Sequence, residues 1–263
     1  MSKVGLIAGQ GDLPALILEA LKSQSRECFV LAIKEDANPT LTDGVAHEWI
    51  PMAEIARTME IFSEHGVKDI IMAGKLSRPP LKALKPPALA AKILKRLGAA
   101  FFKGDDALFK AIVSVFEEEG FSIIGADEVL GDLLTPKGVL TQTQPNNMSD
   151  IELAAQAARD LGARDIGQAV IIQNEAILAE EDEQGTDALL KRVSTAKGAI
   201  LAKMKKPAQE RRVDLPAIGP DTIKTLAEGE FAGVVLEAEG SIILHRDDVI
   251  ALADKHGLFV IGV

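Results

Sequence analysis

The segment Val4-Gly5-Leu6-Ile7-Ala8-Gly9-Gln10-Gly11-Asp12-Leu13-Pro14 runs from a short apolar stretch through two glycines into a helical pattern. The apolar run, Val4–Ala8, is cut off well before the roughly 7–15 residues of a secretory core. It reads as a buried first strand, followed by a helix over Leu13–Lys22 with apolar residues at helical spacing. Glycines between a strand and a helix let the backbone approach a phosphate at the positive helix end. Gly9, Gln10, Gly11 and Asp12 are therefore candidate ligand-binding residues, although the same loop also reads as a tight turn with no ligand. Pro14 stands where the dinucleotide fingerprint has its third glycine, which weakens a nicotinamide reading.

Outward from this loop, Cys28–Ile33, Asp69–Ala73 and Ser122–Gly125 read as further strands, alternating with helical patterns at Ala53–His65, about 88–97 and 105–119. That alternation predicts an α/β fold whose N-terminal half, residues 1–130, is a Rossmann-like domain with a mostly parallel sheet. Gly131, Pro136 and Gly138 punctuate a stretch from Asp127 to Gln144 that reads as a linker. Beyond it, Asp150 is expected to cap a helix running to Gly162. Two hairpins are then expected, Gln168–Gln173 with Ala176–Glu181 and Gly233–Glu237 with Ser241–His245. With helices at about 185–193, 220–228 and 247–256, residues 131–263 read as an α+β domain.

The whole chain has 263 residues, a net charge of −10 and 47% hydrophobic residues, an ordinary globular composition. A single cysteine, Cys28, excludes an intramolecular disulfide and cysteine-based metal clusters and fits a reducing cytoplasm. No apolar stretch approaches the ~18–20 residues that span a bilayer. The acidic pI near 5.0, the lack of Tyr and the single Trp49 argue against a nucleic-acid partner. Against this acidic background, Lys75–Lys110 carries nine basic residues and two acidic ones, a local balance of +7. There Leu89, Ile93, Leu97 and Phe101 share a face at 100° per residue, with Lys92, Lys95 and Arg96 on the other. Such a helix can lie on an anionic bilayer, or pack on its own domain with solvated lysines.

Residues of catalytic type gather at turns in the C-terminal half. Hydrolysis of a pyrophosphate requires cations for the phosphoryl charge and carboxylates to hold Mg²⁺ or orient water. Lys203, Lys206 and Arg212 can supply the former, and Asp187, Asp214 and Asp221 the latter. Asp221 follows Pro220 at a helix start, where an acid also serves as a purely structural terminus residue. The histidines His47, His65, His245 and His256 form no ligand pattern, and no Ser lies in a G-x-S-x-G context.

Taken in order, Gly9-Gln-Gly-Asp-Leu-Pro14, Gly74-Lys75 with Arg78-Pro79, Gly104-Asp-Asp-Ala-Leu108 and Asp165-Ile-Gly-Gln168 resemble the LpxI family of UDP-2,3-diacylglucosamine pyrophosphatases of lipid A biosynthesis. Gly185-Thr-Asp187, Lys206-Pro207 with Gln209 and Arg212, Val213-Asp-Leu-Pro216, Gly219-Pro-Asp-Thr222 and Gly257-Leu-Phe259 extend the resemblance along almost the whole chain. The resemblance implies two domains with the ligand between them. It also implies Mg²⁺-dependent hydrolysis to UMP and 2,3-diacylglucosamine 1-phosphate, water attacking the β-phosphorus. Asp221, Asp214 and Asp187 are the expected catalytic residues. Gly9, Gln10, Gly11, Asp12, Lys75, Arg78, Thr186, Lys206, Gln209, Arg212 and Thr222 are expected to bind the nucleotide-linked glycolipid, and the metal's ligands are left open. Peripheral contact with the cytoplasmic face of the inner membrane is expected, and a homodimer is left open. Gln184 and Glu210 stand where the family pattern has Glu and Asp; Gln184 can be neither base nor charged ligand. Two readings compete, a nicotinamide-dependent oxidoreductase and a non-catalytic nucleotide-sugar or lipid-binding protein.

Overall fold

The computed structural model describes residues 2–77, 105–193, 195–207 and 209–263. The helix expected at about 88–97, with Arg78 and most of the basic stretch, lies outside the described residues. The chain forms two compact units, residues 1–131 with 210–214, and residues 132–209 with 215–263. The sequence division at residue 130 left Glu210–Asp214 with the C-terminal half; in the structure this segment packs in the first unit.

In the first unit the strands β1 (Lys3–Ala8), β2 (Cys28–Ile33), β3 (His47–Ile50), β4 (Val67–Ala73) and β5 (Ser122–Ile123) form one sheet in the order β3-β2-β1-β4-β5. All neighbours are parallel. The central strand β1 is buried from Val4 to Ala8, as a parallel strand covered on both faces must be. Val4, Leu6 and Ala8 face α1 (Leu13–Ser23) through Ile17 and Leu21. Ile7 joins the opposite layer, with Phe62 of α2 (Thr58–Glu64) and Phe116 of α3 (Asp105–Glu118). Gly5 is part of this packing, because a Cβ there would stand 2.8 Å from the Phe62 ring. Burying a side chain such as Phe62 contributes about 1.5–3 kcal/mol. The short β3 was not foreseen, its pattern being only half-buried.

The expected linker is structured. It contains the short helix α4 (Ala126–Val129), a 3₁₀ turn at Gly131–Leu133 and strand β6 (Gly138–Val139). The second unit is built on a mixed sheet of order β6-β13-β11-β9-β7-β8, with β7 at Ala169–Gln173, β8 at Ala176–Glu180, β9 at Ile200–Lys203, β11 at Gly233–Leu236 and β13 at Phe259–Gly262. The first expected hairpin forms, with Asn174 and Glu175 both at positive φ in its two-residue turn. The second does not. Strand β11 is buried along its length and pairs in parallel with β9 and β13, while Ile242–Ile243 (β12) leaves to pair in parallel with Ala217–Ile218 (β10). A strand buried on both faces belongs in the middle of a sheet. Helix α5 (Met148–Ala163) covers one face of this sheet. The other carries α6 (Thr186–Arg192), α7 (Pro220–Glu228) and α8 (Arg246–His256). The cap of α5 is Asn147, whose side chain accepts from the amides of Ser149 and Asp150. Asp150, expected in that role, instead accepts from the Glu175 amide at 2.7 Å and holds the hairpin turn.

Candidate active site

In the first unit, β1 and β4 are sheet neighbours and end together, so the loops that follow them meet. Gln10 and Lys75 form an isolated antiparallel bridge, the Gln10 amide donating to the Lys75 carbonyl at 2.9 Å and the Lys75 amide returning to Gln10 at 3.1 Å. The Gly9 amide donates to Ala73 at 2.9 Å. Two of the amides expected to face a phosphate are thus engaged by the neighbouring loop. Close approach also explains two glycines: a Cβ on Gly9 would lie 2.5 Å from the Lys75 carbonyl oxygen, and one on Gly74 2.5 Å from that of Gln10. Gly11, at φ 91°, is exposed with open space where a Cβ would be. Asp12, also exposed, precedes α1 without capping it through its side chain.

A buried carboxylate underlies these loops. Asp36, just past β2, accepts from Gln10 Nε2 at 2.6 Å, from Ser77 Oγ at 2.6 Å and from the Ser77 amide at 2.8 Å. Burial pushes its carboxyl up, but the hydrogen bonds from Ser77 and Gln10 outweigh that and hold it below the usual aspartate value. The sequence reading missed Asp36. Its available signal was an acid at the C-terminal end of the second strand of a parallel unit.

In the second unit, five of the expected or quoted residues are brought together. The Lys206 amide donates to Gln209 Oε1 at 3.0 Å, and Gln209, itself buried, reaches Gln168 Oε1 from Nε2 at 3.4 Å. Lys206 Nζ pairs with Asp165 at 2.8 Å. Glu181, only 6% exposed, joins Gln168 to Thr186: one carboxylate oxygen accepts from the amides of Gln168 (2.6 Å) and Ala169 (3.0 Å), the other from Thr186 Oγ1 (2.6 Å). Asp187 is exposed on the first turn of α6. Glu181 was also missed, because Glu180-Glu181-Asp182-Glu183 looks like a solvated acidic run.

The remaining candidates make other contacts. Asp221 is exposed at the start of α7 and pairs with Lys224 at 2.7 Å; that hydrogen bond and its charge hold the carboxyl below its usual value. Thr222 Oγ1 accepts from the Gly219 amide at 3.5 Å, closing the helix start. Lys203 Nζ donates to the Ala217 carbonyl at 3.0 Å. Arg212 and Asp214 belong to the segment that packs in the first unit. The Arg212 guanidinium is held side-on by both oxygens of Glu210 (2.9 and 3.0 Å) and end-on by Glu117 (2.6 Å). The hydrogen bonds of Glu210 and Glu117 push its pKa up, and Arg212 in turn holds Glu210 down. Three of its five N–H donors are used in these bonds, and its charge is balanced within the protein. Arg211 pairs with Asp127 at 2.9 Å, and Val213 packs against the core of the first unit.

Among the described residues no three His, Cys, Asp or Glu side chains converge as a metal-ligand set. Asp187 and Asp221, both exposed, could each offer a divalent cation an oxygen ligand.

Two family models match the sequence, the LpxI N-terminal domain over residues 3–133 and the LpxI C-terminal domain over residues 136–261. The chain belongs to the LpxI family. It is 40% identical over 275 aligned positions to the UDP-2,3-diacylglucosamine pyrophosphatase LpxI of Caulobacter vibrioides, covering 100% of this chain and 98% of that protein. Among solved structures, the biotin carboxylase domain of Hydrogenobacter thermophilus 2-oxoglutarate carboxylase matches at 13% identity and a TM-score of 0.29. The biotin carboxylase subunit of pyruvate carboxylase matches at 12% and 0.29. Each alignment covers 73% of this LpxI-family chain and spans 40% of the carboxylase chain. At that TM-score the likeness identifies neither fold nor function.

Proposed function

We propose that the chain hydrolyses the pyrophosphate of UDP-2,3-diacylglucosamine, releasing UMP and 2,3-diacylglucosamine 1-phosphate in lipid A biosynthesis. The observation that supports this most strongly is the 40% identity along the entire chain to a protein of that activity. On this reading the first unit is Rossmann-like. Its strand order β3-β2-β1-β4-β5 reverses direction between β1 and β4, where open parallel sheets bind ligands at their C-terminal strand ends. Gln10, Gly11, Asp12 and Lys75 stand at that edge and would hold the nucleotide, Asp36 keeping the Gln10 loop in place. Within the second unit taken by itself, Thr186, Lys206 and Gln209 are the side chains suited to a phosphate or a sugar hydroxyl. Of the three expected catalytic carboxylates, Asp187 and Asp221 are exposed, as a group that must meet water and phosphate requires. Mg²⁺, when bound, supplies charge neutralisation at the pyrophosphate, and Asp187 or Asp221 can each add a ligand to it.

Water attack at the β-phosphorus breaks the bond to the bridging oxygen, which leaves with UMP, and the water oxygen stays on the sugar phosphate. The test is incubation with UDP-2,3-diacylglucosamine and Mg²⁺ in ¹⁸O-water, with and without chelator. UMP release that stops with chelator, with ¹⁸O in the 1-phosphate, is the expected result. Label in UMP instead moves the attack to the α-phosphorus, and absence of UMP rejects the activity.

A substrate with two acyl chains is collected at a bilayer, and the basic balance between Lys75 and Lys110 supports peripheral contact with anionic lipid. No helix among the described residues is long and apolar enough to cross a membrane.

A further inference from the structure

We infer that Glu181 is a positioning residue that fixes Thr186 as a hydrogen-bond acceptor toward the bound substrate, a role that rests on the pyrophosphatase reading. Glu181 follows β8 and is buried, yet nothing charged neutralises it in the contacts it makes. Both oxygens of its carboxylate accept hydrogen bonds, one from two main-chain amides, Gln168 and Ala169, and the other from one hydroxyl, Thr186. Gly167 permits this approach, because a Cβ there would lie 2.8 Å from Glu181 Cβ and 3.0 Å from its carbonyl oxygen. With its oxygens engaged, Glu181 is a brace for the residues around it rather than a base.

The consequence falls on Thr186. A hydroxyl has one proton and two lone pairs, and a carboxylate can only accept. The proton of Thr186 is directed to Glu181 at 2.6 Å, so only lone pairs remain for anything beyond. A threonine in this state cannot donate to a phosphate oxygen. It accepts from an O–H donor, either the attacking water or a hydroxyl of the substrate's sugar. Thr186 is half-buried and opens α6 immediately before the exposed Asp187. Glu181 therefore sets the polarity of the turn, and Gln168, whose amide it holds, accepts through its side chain from Gln209, the partner of the Lys206 amide.

The test compares Glu181→Gln, Thr186→Val, Thr186→Ser and the Glu181→Gln/Thr186→Val double variant with wild type, reading kcat, KM and Tm on UDP-2,3-diacylglucosamine with Mg²⁺. A Gln at 181 can satisfy both amides with its carbonyl while its NH₂ donates to Thr186, which inverts the hydroxyl with little change of shape. The expected result is a loss of about tenfold or more in kcat/KM for Glu181→Gln and for Thr186→Val, with Tm nearly unchanged for Thr186→Val. Thr186→Ser, which keeps the hydroxyl, restores most of the activity that Thr186→Val loses, and the double variant is no worse than either single one. A fall in kcat alone marks the attacking water as the donor; a rise in KM marks the sugar hydroxyl. Should Glu181→Gln fail to fold, the Thr186 pair decides: a fully active Thr186→Val overturns the inference. Full activity of folded Glu181→Gln, or additive losses in the double variant, overturns it as well while leaving the pyrophosphatase reading in place. A wild type that releases no UMP overturns both.

Discussion

Asp36 and Asp221 are both aspartates held below their usual pKa, for opposite physical reasons. Asp36 is 8% exposed and is held by Ser77 and Gln10, neutral donors fixed by the fold. Asp221 stands in solvent, and its partner is a single lysine one helical turn away. The first arrangement is bound to the folded state and resists change. The second is screened by water and salt, and Lys224 can be exchanged for another partner without disturbing the protein. Burial with neutral donors makes a support, whereas exposure beside a flexible cation leaves a carboxylate able to meet a substrate or a water.

Four substitutions test this contrast. Asp221→Ala should have the largest effect and only on turnover, lowering kcat by about a hundredfold or more, in the range of a lost acid–base or orienting group. Its substrate affinity and Tm should stay near wild type. Unchanged kcat in steady-state assays would return Asp221 to the role of a helix-start residue. Gly74→Ala should follow, since it places a Cβ 2.5 Å from the Gln10 carbonyl at a φ of +87°. A loss of about 1–3 kcal/mol in urea unfolding is expected, together with weakened UMP binding in calorimetry.

Asp36→Asn should cost about 2 kcal/mol at pH 7, in the range for hydrogen bonds to a charged group. The folded pKa of Asp36 lies below the unfolded value of 3.8. Its contribution is therefore complete above pH 3.8 and fades as pH falls through the lower folded value. The gap between wild type and Asp36→Asn should accordingly narrow as pH falls below 3.8, and a gap that does not shrink there would point to packing instead of charge. Lys224→Ala should have the smallest effect, with no measurable change of Tm at 0.15 M salt. A clear drop would mean that the Asp221–Lys224 pair is part of the fold.

The legibility of these regions differed in the same way. The Gly9–Pro14 loop was readable because a strand, two glycines and a helix start occur in sequence order. Its internal use, with the Gly9 and Gln10 amides engaged by Ala73 and Lys75, was not readable, since that partner lies some 65 residues away. Glu181 carries no local sign of burial among its acidic neighbours, and only the pairing of β7 with β8 brings it beneath the Gln168 amide. The hairpin expected at Gly233–His245 failed because the turn at Ala238-Glu239-Gly240 was read locally, whereas β11 is claimed by β9 and β13 on either side. The partners of Arg212 were not readable for the same reason; Glu117, which holds it, is 95 residues distant.

The parallel first sheet, the helices starting at Leu13, about 185 and 220, and the family were legible along the chain, because periodicity, capping residues and ordered motifs are properties of neighbouring positions. Tertiary structure alone decided which carboxylates are supports and which are exposed, where the segment Glu210–Asp214 packs, and which strands of the second sheet are parallel. Each of those depends on desolvation and on partners far along the chain. The free energy of a charged group is set by what surrounds it in space, and no local pattern encodes that.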